Sequence, residues 1–337
     1  WTIGDCITEP ERLISYDHNS CWESLAKLAE EFKTEWEITG KRISLRKVEH
    51  NKKQPLRLGY GKGRGLRSGL GRKAGEALPT EILWVQGGDR NIDRSRYGSA
   101  TLHLPTSVTI AYDGEYFEDE RGFDRLRAKR YKTDERGLSL RRADKPLTTA
   151  TEASINAPDI YPSRVGSVTS VREVNATQHF WDFCDSTIPE SLDYDRCLIA
   201  GQTMTVIFQS GQLAGREFEV KYRHQGATHS GKSARCFELI PQELDGVTMP
   251  SATFAPRVGD RYAVFHVMLP AAYINDRATR SGAEWELLRR CVRHLWEHEE
   301  QKYSYTAELD GLWAKKDWLN IGGRIILGGY VELHDER

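Results

Sequence analysis

The sequence predicts an α+β fold that is mainly antiparallel β. Short apolar runs recur at hairpin spacing along most of the 337 residues, and several alternate with polar residues as half-buried strands do. Only two segments carry apolar residues at helical spacing, which is too few for the alternating helices of a parallel α/β sheet. We therefore expect β-barrel domains with small α/β insertions.

The first predicted domain, residues 1–54, is a small αββ unit. Ser20 and Glu23 match a capping box at the start of a helix over residues 20–32. Two apolar runs then flank a turn at Thr39-Gly40, which predicts a hairpin.

The second predicted domain, residues 55–160, is β-rich and strongly charged. The stretch 41–75 holds twelve Lys and Arg against the single acid Glu49, and an acidic stretch follows at 113–124. We interpret the basic stretch as a solvated loop and an exposed strand face that pair with the acidic stretch, here or on a neighbouring subunit. Strands are predicted at 81–86 and, as a pair, within 102–112. Residues 134–160 are polar and predict a long loop or linker.

The third predicted domain, residues 161–337, resembles a β-barrel with one inserted helix. The helix is predicted at 282–302, with Ser281 and Glu284 as a second capping box. The last two apolar runs are expected to close the sheet. The strands of this domain are predicted at 168–174, 203–209, 217–223, 235–240, 262–269, 303–309 and 325–333.

Composition excludes several classes of protein. The formal net charge of −1 indicates no specific binding to nucleic acid, and no apolar run approaches the ~20 residues of a membrane span. We find no signal peptide. Six cysteines without a CxxC pair predict reduced, mostly buried thiols, as in a cytoplasm. Because the chain starts at Trp1, we expect an upstream segment of the parent protein to be missing.

Residues 226–233 match the Walker A pattern GxxxxGK[ST], with Lys232 and Ser233 as the phosphate- and magnesium-binding residues of a nucleotide-binding protein. A working P-loop lies between a buried strand and a helix. Here the preceding run alternates polar and apolar residues, and the following run ends in Pro241. A hairpin loop is therefore the favoured interpretation, with nucleotide binding as an alternative.

His294, Glu297 and His298 match HxxEH, the inverted zinc-peptidase motif, on the second helix. Histidines at i and i+4 can share a metal. The apolar face of this helix, however, centres on Leu288 and Val292, so we expect both histidines to face solvent. A tail-associated cell-wall hydrolase using this motif stays open as an alternative.

Two weaker patterns are also present in the sequence. Residues 69–74 match GxGxxA but follow no clear strand, so an ordinary loop is favoured over dinucleotide binding. The aromatic run 179–183 is expected in the core or at a subunit contact, with stacking on a sugar as the alternative. We assign no catalytic, cofactor-binding or metal-binding residue, and predict that the protein is not an enzyme.

The order of several segments resembles phage and prophage tail-tip (baseplate) hub proteins, including those of Bacteroides-type prophages. The resemblance runs along most of the chain, and the order of the segments gives it its specificity. Residues 113–157 match less well and are interpreted as an insertion. The matching segments are LGYGKGRGL from Leu58, EILWVQGGDRNIDRSRYGSATLHLP from Glu81, DIYP from Asp159, RVG from Arg164, GREFEV from Gly215, PRVGDRYAVF from Pro256 and LPAAYI from Leu269.

The resemblance implies a virion structural protein built of β-barrel tube-type domains. Such hubs typically form trimers whose barrels make a pseudo-hexameric ring that joins the tail tube to the tip device. The implied partners are further copies of the chain, the tail tube, the distal tail protein and the tip fibre. Binding of a host-surface glycan by exposed Trp and Tyr stays open as a separate alternative. The implied location is the virion tail, assembled in the bacterial cytoplasm. Some relatives, labelled endopeptidase tails, carry a wall-degrading domain downstream, but the resemblance brings no catalytic residue to this chain.

Overall fold

In a computed structural model of the chain the fold is mainly antiparallel β with few helices, as the sequence predicts. The structure describes residues 1–7, 14, 16–32, 34–60, 63–225, 227–228, 231–232, 235–244 and 246–334. The chain divides into two units. Unit 1 combines Trp1–Glu76 with Lys302–Arg337, and unit 2 is Ala77–Gln301.

The helices are α1 (Cys21–Glu31), α2 (Arg94–Tyr97), α3 (Ala271–Ile274), α4 (Ala283–His298) and α5 (Gly311–Ile321), with a 3-10 turn at Tyr194–Cys197. The strands are β1 (Thr2–Cys6), β2 (Trp36–Thr39), β3 (Arg42–Leu45), β4 (Leu56–Tyr60), β5 (Gly65–Ala74), β6 (Ile82–Gly87), β7 (Thr109–Tyr112), β8 (Lys129–Thr133), β9 (Ser139–Arg142), β10 (Glu152–Ala157), β11 (Val165–Ser167), β12 (Ser170–Asn175), β13 (Phe180–Cys184), β14 (Thr205–Phe208), β15 (Glu217–Arg223), β16 (Ala227–Thr228), β17 (Gly231–Lys232), β18 (Cys236–Leu239), β19 (Gln242–Leu244), β20 (Val247–Met249), β21 (Arg261–Phe265), β22 (Tyr303–Leu309) and β23 (Val331–His334).

Unit 1 begins with the predicted helix and hairpin. The Ser20 hydroxyl accepts from the Glu23 N–H at 3.2 Å, and the Glu23 carboxylate accepts from the Ser20 N–H at 2.8 Å, so the predicted capping box is confirmed. Strands β2 and β3 form the predicted antiparallel hairpin. A strand that the sequence reasoning missed, β1, pairs in parallel with β3.

A second sheet of unit 1 joins the two ends of the chain. Its order is β22-β5-β4-β23, so strands after residue 302 pair with strands before residue 76. Its core is small and consists of Leu56, Leu58, Leu66 and Ile321. The predicted domain boundaries 1–54, 55–160 and 161–337 therefore differ from the observed units. The last two strands close this sheet and not that of the third predicted domain, because their register partners are β5 and β4.

The first half of unit 2 is a five-stranded sheet with the order β10-β6-β9-β8-β7. One face of this sheet packs against α4 through Leu83, Val85, Tyr131, Leu140 and other buried side chains. The predicted linker over 134–160 is wrong, because it contains β9 and β10. As an edge strand exposed on alternate residues, β10 needs few large apolar side chains, and this hid it in the sequence.

The helix α4 confirms the second predicted helix, but its start differs from the prediction. Its N-cap is Gly282, with no side-chain cap hydrogen bond, so the predicted capping box of Ser281 and Glu284 is wrong. The Glu284 carboxylate points into the unit instead. It accepts hydrogen bonds from the Tyr97 hydroxyl at 2.7 Å and from the Asn275 amide at 2.6 Å.

The second half of unit 2 is a curled antiparallel sheet with the order β11-β21-β14-β15-β18-β13-β12. Its two end strands, β11 and β12, are separated in sequence only by Val168 and Thr169. The Val168 N–H bonds to the Asp260 carbonyl and the Thr169 N–H to the Cys184 carbonyl, so this linking segment contacts both ends of the sheet. Residues 165–175 therefore run from one end of the curled sheet to the other, and we call this sheet and its interior the barrel. The interior is filled by side chains that include Phe183, Phe208, Phe218, Phe237 and Tyr262.

A disulfide between Cys184 and Cys236 corrects the prediction that the cysteines are reduced. The two residues are 52 positions apart but lie directly opposite each other on β13 and β18. Spacing in the sequence gave no sign of this proximity. Of the other four cysteines, Cys197 and Cys291 are buried, whereas Cys6 and Cys21 are exposed.

We expect four of the six cysteines to react with a thiol reagent in denaturant without reductant, and all six after reduction. Peptide mapping by mass spectrometry under non-reducing conditions should identify one cross-linked peptide pair that contains Cys184 and Cys236. Six reactive thiols before reduction, in protein purified without reductant, would contradict this pairing.

Candidate functional site

The HxxEH histidines lie on the last turns of α4 in an arrangement that does not suit a shared metal. The rings of His294 and His298 stack with centroids 4.2 Å apart and planes 25° apart. Two histidines that share a metal aim one nitrogen each at a single point, and stacked rings do not. In addition, Nδ1 of His298 lies 2.7 Å from the carbonyl oxygen of His294.

Both histidines are half-buried, not solvent-facing as predicted, because the apolar face of α4 is wider than the periodicity indicated and includes the fully buried Leu287. Glu297 is exposed. Within the described part of the chain, no three His, Cys, Asp or Glu side chains lie together in a way that could hold a metal ion.

The Walker-like segment is only partly inside the described residues, because Gly226, His229, Ser230 and Ser233 lie outside them. Its described parts, β16 and β17, pair as a two-stranded antiparallel ladder. The chain then continues into strand β18, at the position where a P-loop has its helix. The local geometry is that of a hairpin.

The GxGxxA segment lies inside strand β5 and not at a strand-to-helix turn. Glycine at position 71 has a packing reason, because a Cβ there would overlap the hydroxyl of Thr306 on the paired strand β22. A tight strand pairing, and not a close approach to phosphate, accounts for this glycine.

The basic and acidic stretches find described partners within their own units. In unit 1, Arg42 pairs with Asp5, and Arg57 with Glu332, each at 2.9 Å. In unit 2, Asp119 pairs with Arg289 of α4 at 2.7 Å. Pairing of one stretch with the other stays a prediction.

Asp113, in the acidic stretch, organises its own loop. Its carboxylate accepts the N–H groups of Glu115, Tyr116 and Asp124 at 2.7–2.8 Å. Burial disfavours its charge, but these three donors hold the pKa of Asp113 below its ordinary value. The loop then covers the outer edge of β7, because the Glu118 N–H bonds to the Ala111 carbonyl.

The aromatic run 179–183 is divided between surface and core. Phe183 is fully buried in the barrel interior and Phe180 is exposed. Phe183 contacts the rings of Phe208, Phe237 and Tyr262 at centroid distances of 4.9–5.5 Å. The predicted core role is thus confirmed for Phe183.

A cleft of about 900 Å³ lies beside the 3-10 turn of unit 2. Its charged groups largely neutralise each other: Arg196 pairs with Asp193 at 3.3 Å, and Arg96 with Asp93 at 2.6 Å. Burial raises the pKa of Asp195, and the nearby negative charge of Asp193 raises it further. Because these cations already have carboxylate partners, the cleft has no arrangement that selects an anionic ligand.

A buried polar cluster, which the sequence reasoning missed, sits at the seam of the barrel. Asp185 is fully buried and accepts from Arg164 at 3.0 Å, from the Tyr262 hydroxyl at 2.8 Å and from Thr187. Burial disfavours its charge, but these hydrogen bonds hold the pKa of Asp185 below its ordinary value. Each oxygen of the Asp185 carboxylate has two donors, which indicates a structural role.

The edge strand β22 of unit 1 is exposed on both faces over its first six residues. The hydrogen bond from the Gly75 N–H to the Lys302 carbonyl shows that these two residues form a hydrogen-bonded pair of the ladder between β5 and β22. Because hydrogen-bonded and non-hydrogen-bonded pairs alternate, Tyr303 and Tyr305 occupy non-hydrogen-bonded positions, and their N–H and C=O groups point away from β5. The outward backbone donors and acceptors at the start of this edge therefore belong to two exposed tyrosines.

Comparisons with known proteins give no relative. No protein-family model, curated protein or solved structure matches the chain. Among the described helices, none is long and apolar enough to cross a membrane.

Proposed function

We propose that the chain is a structural component of a phage or prophage tail-tip hub that joins the tail tube to the tip device. In this proposal it works as a homotrimer in the virion tail, after assembly in the bacterial cytoplasm. Its partners are its own copies, the tail tube, the distal tail protein, the tip fibre and a host-surface glycan.

The segments that resemble tail-tip hubs supply the framework of the fold, which supports the proposal. The segment from Leu58 contributes to β4 and β5, and the segment from Glu81 forms β6 and the buried turn after it. The segments from Gly215 and Pro256 contain β15 and β21 of the curled sheet. Segments whose main contribution is to build strands fit a geometric role in an assembly.

The open edge of β22 is the observation that best supports an assembly function. An exposed strand edge is a template for pairing with another chain, and proteins that work alone usually protect such edges with charge, proline or a bulge. The register of β22 with β5 shifts only after Thr306, so its first part has no bulge. The outward-facing positions of this first part are Tyr303 and Tyr305, and tyrosine is enriched at protein interfaces. A closed trimer needs one heterologous contact repeated about its axis, and in this proposal the β22 edge forms one side of that contact against a different surface of the next copy.

We expect Tyr305→Pro to abolish trimer formation, because proline removes an outward N–H that subunit pairing would use. The matched control, Tyr305→Val, keeps this N–H and a strand-forming side chain and should remain trimeric. Masses come from light scattering after size-exclusion chromatography, and circular dichroism checks that both variants fold. A folded Tyr305→Pro variant that stays trimeric would exclude this edge as the contact.

A further inference from the structure

The outer face of the five-stranded sheet in unit 2, opposite α4, carries an unusual row of cations. Register places Arg141 of β9 directly opposite Lys132 of β8, and Arg130 follows two residues along β8 on the same face. Lys132 and Arg141 are half-buried, and Arg130 is exposed. Within the described residues, none of these three side chains has an ion-pair partner.

When no partner is bound, this row of cations lowers the stability of the folded protein. Like charges directly opposite each other on neighbouring strands are destabilising, and an acidic residue at either position would relieve the repulsion. The nearest carboxylate in register is Glu152 of β10, which is separated from Arg141 by Ile82 of β6. A row of cations on an otherwise uncovered sheet face indicates an anionic partner.

An aromatic ring lies next to this row. Trp84 of β6 is 41% exposed and is flanked in register by two small residues, Ser139 of β9 and Ser154 of β10. Its neighbours therefore leave the indole open to a flat ligand. The amides of Gln86 and Asn156, paired in register, extend the same face beyond Trp84 and are exposed.

We propose that this face binds a nucleic-acid strand without sequence specificity. The three cations contact phosphates, and a base stacks on Trp84. The combination of a cationic track and an accessible aromatic ring on a sheet is how single-stranded nucleic acid is bound in unrelated folds. An acidic protein segment would satisfy the cations, but it gives no reason for an open indole between two serines.

The first test measures binding of a fluorescein-labelled 20-nucleotide oligothymidine by anisotropy between 50 and 200 mM salt. Three phosphate contacts on a single strand predict a slope of log affinity against log salt near −2, which is a loss of roughly 20-fold over this range. Absence of binding at 50 mM salt overturns the proposal. If heparin binds as tightly as the oligothymidine, or more tightly, and to the same extent to wild type and Trp84→Ala, that result overturns the proposal in favour of an anionic glycan.

The second test uses matched variants. Lys132→Glu with Arg141→Glu should weaken binding at least tenfold, and Trp84→Ala should weaken it about fivefold or more. The control Lys221→Glu with Arg257→Glu makes the same charge change at exposed positions around the barrel and should change affinity less than twofold. Equal losses in the two double variants would mean a general charge effect and would overturn the assignment. None of these outcomes depends on whether the protein is a tail-tip hub.

Discussion

Replacing Asp185 with alanine lowers the free energy of unfolding of unit 2 by about 3–5 kcal/mol, because it leaves the half-buried Arg164 guanidinium without its counter-charge. The hydroxyl of Tyr262, itself fully buried, also loses its acceptor. In a unit of this size the loss corresponds to a fall in melting temperature of roughly 10 °C. The measurement is thermal unfolding followed by circular dichroism. The control Glu190→Ala removes an exposed carboxylate 3.5 Å from Arg235 and should shift stability by no more than ~0.5 kcal/mol.

The stability effect of Asp185 should also depend on pH in one direction. Its pKa in the folded protein lies below the ordinary value, which is about 3.9 in an unfolded chain. The contribution of the carboxylate is therefore complete above that ordinary value and is lost as pH falls below it. We expect the difference between wild type and Asp185→Ala to be constant from pH 5 to 7 and to shrink below about pH 4. A difference that grows on acidification would contradict the assignment.

Replacing Phe183 with alanine should destabilise the barrel by about 3–5 kcal/mol, because a fully buried ring at the centre of the aromatic cluster leaves a cavity that its neighbours fill only partly. The matched control lies on the same strand: Phe180 is exposed, so Phe180→Ala should cost less than ~1 kcal/mol. Urea unfolding monitored by tryptophan fluorescence compares the two variants. Equal small losses would mean that the barrel interior is not packed as described.

Local features of the fold were predictable from the sequence. The Ser20 capping box, the Trp36–Leu45 hairpin and the alternating strand β15 follow from short-range spacing, and all three are confirmed. The predictions that failed depend on distant partners. The strand β10 is recognisable only once β6 is beside it, and Glu284 gives up its predicted cap for partners at Tyr97 and Asn275.

Features that join distant parts of the chain were not predictable. Unit 1 contains both ends of the sequence because β22 and β23 return to β5 and β4, and no composition change marks this return. The pairing of Cys184 with Cys236 and the cluster around Asp185 arise in the same way, from strand neighbours far apart in sequence. For the cation row, the sequence shows Arg130, Lys132 and Arg141 but not the register that places two of them opposite each other.

The motif matches show why short patterns need their structural setting. HxxEH at residues 294–298 occurs on a helix as a zinc site requires, yet its two imidazoles stack on each other. GxGxxA at residues 69–74 lies within a strand whose pairing explains Gly71. In both cases the residue types fit the chemistry and the geometry does not.

We propose that this chain works by assembling with copies of itself, and its absolute mass in solution is the direct test. The measurement is multi-angle light scattering behind a sizing column, across a concentration series. We expect a mass near three times 38.4 kDa that does not change on dilution. A mass of 38.4 kDa at every concentration would contradict it.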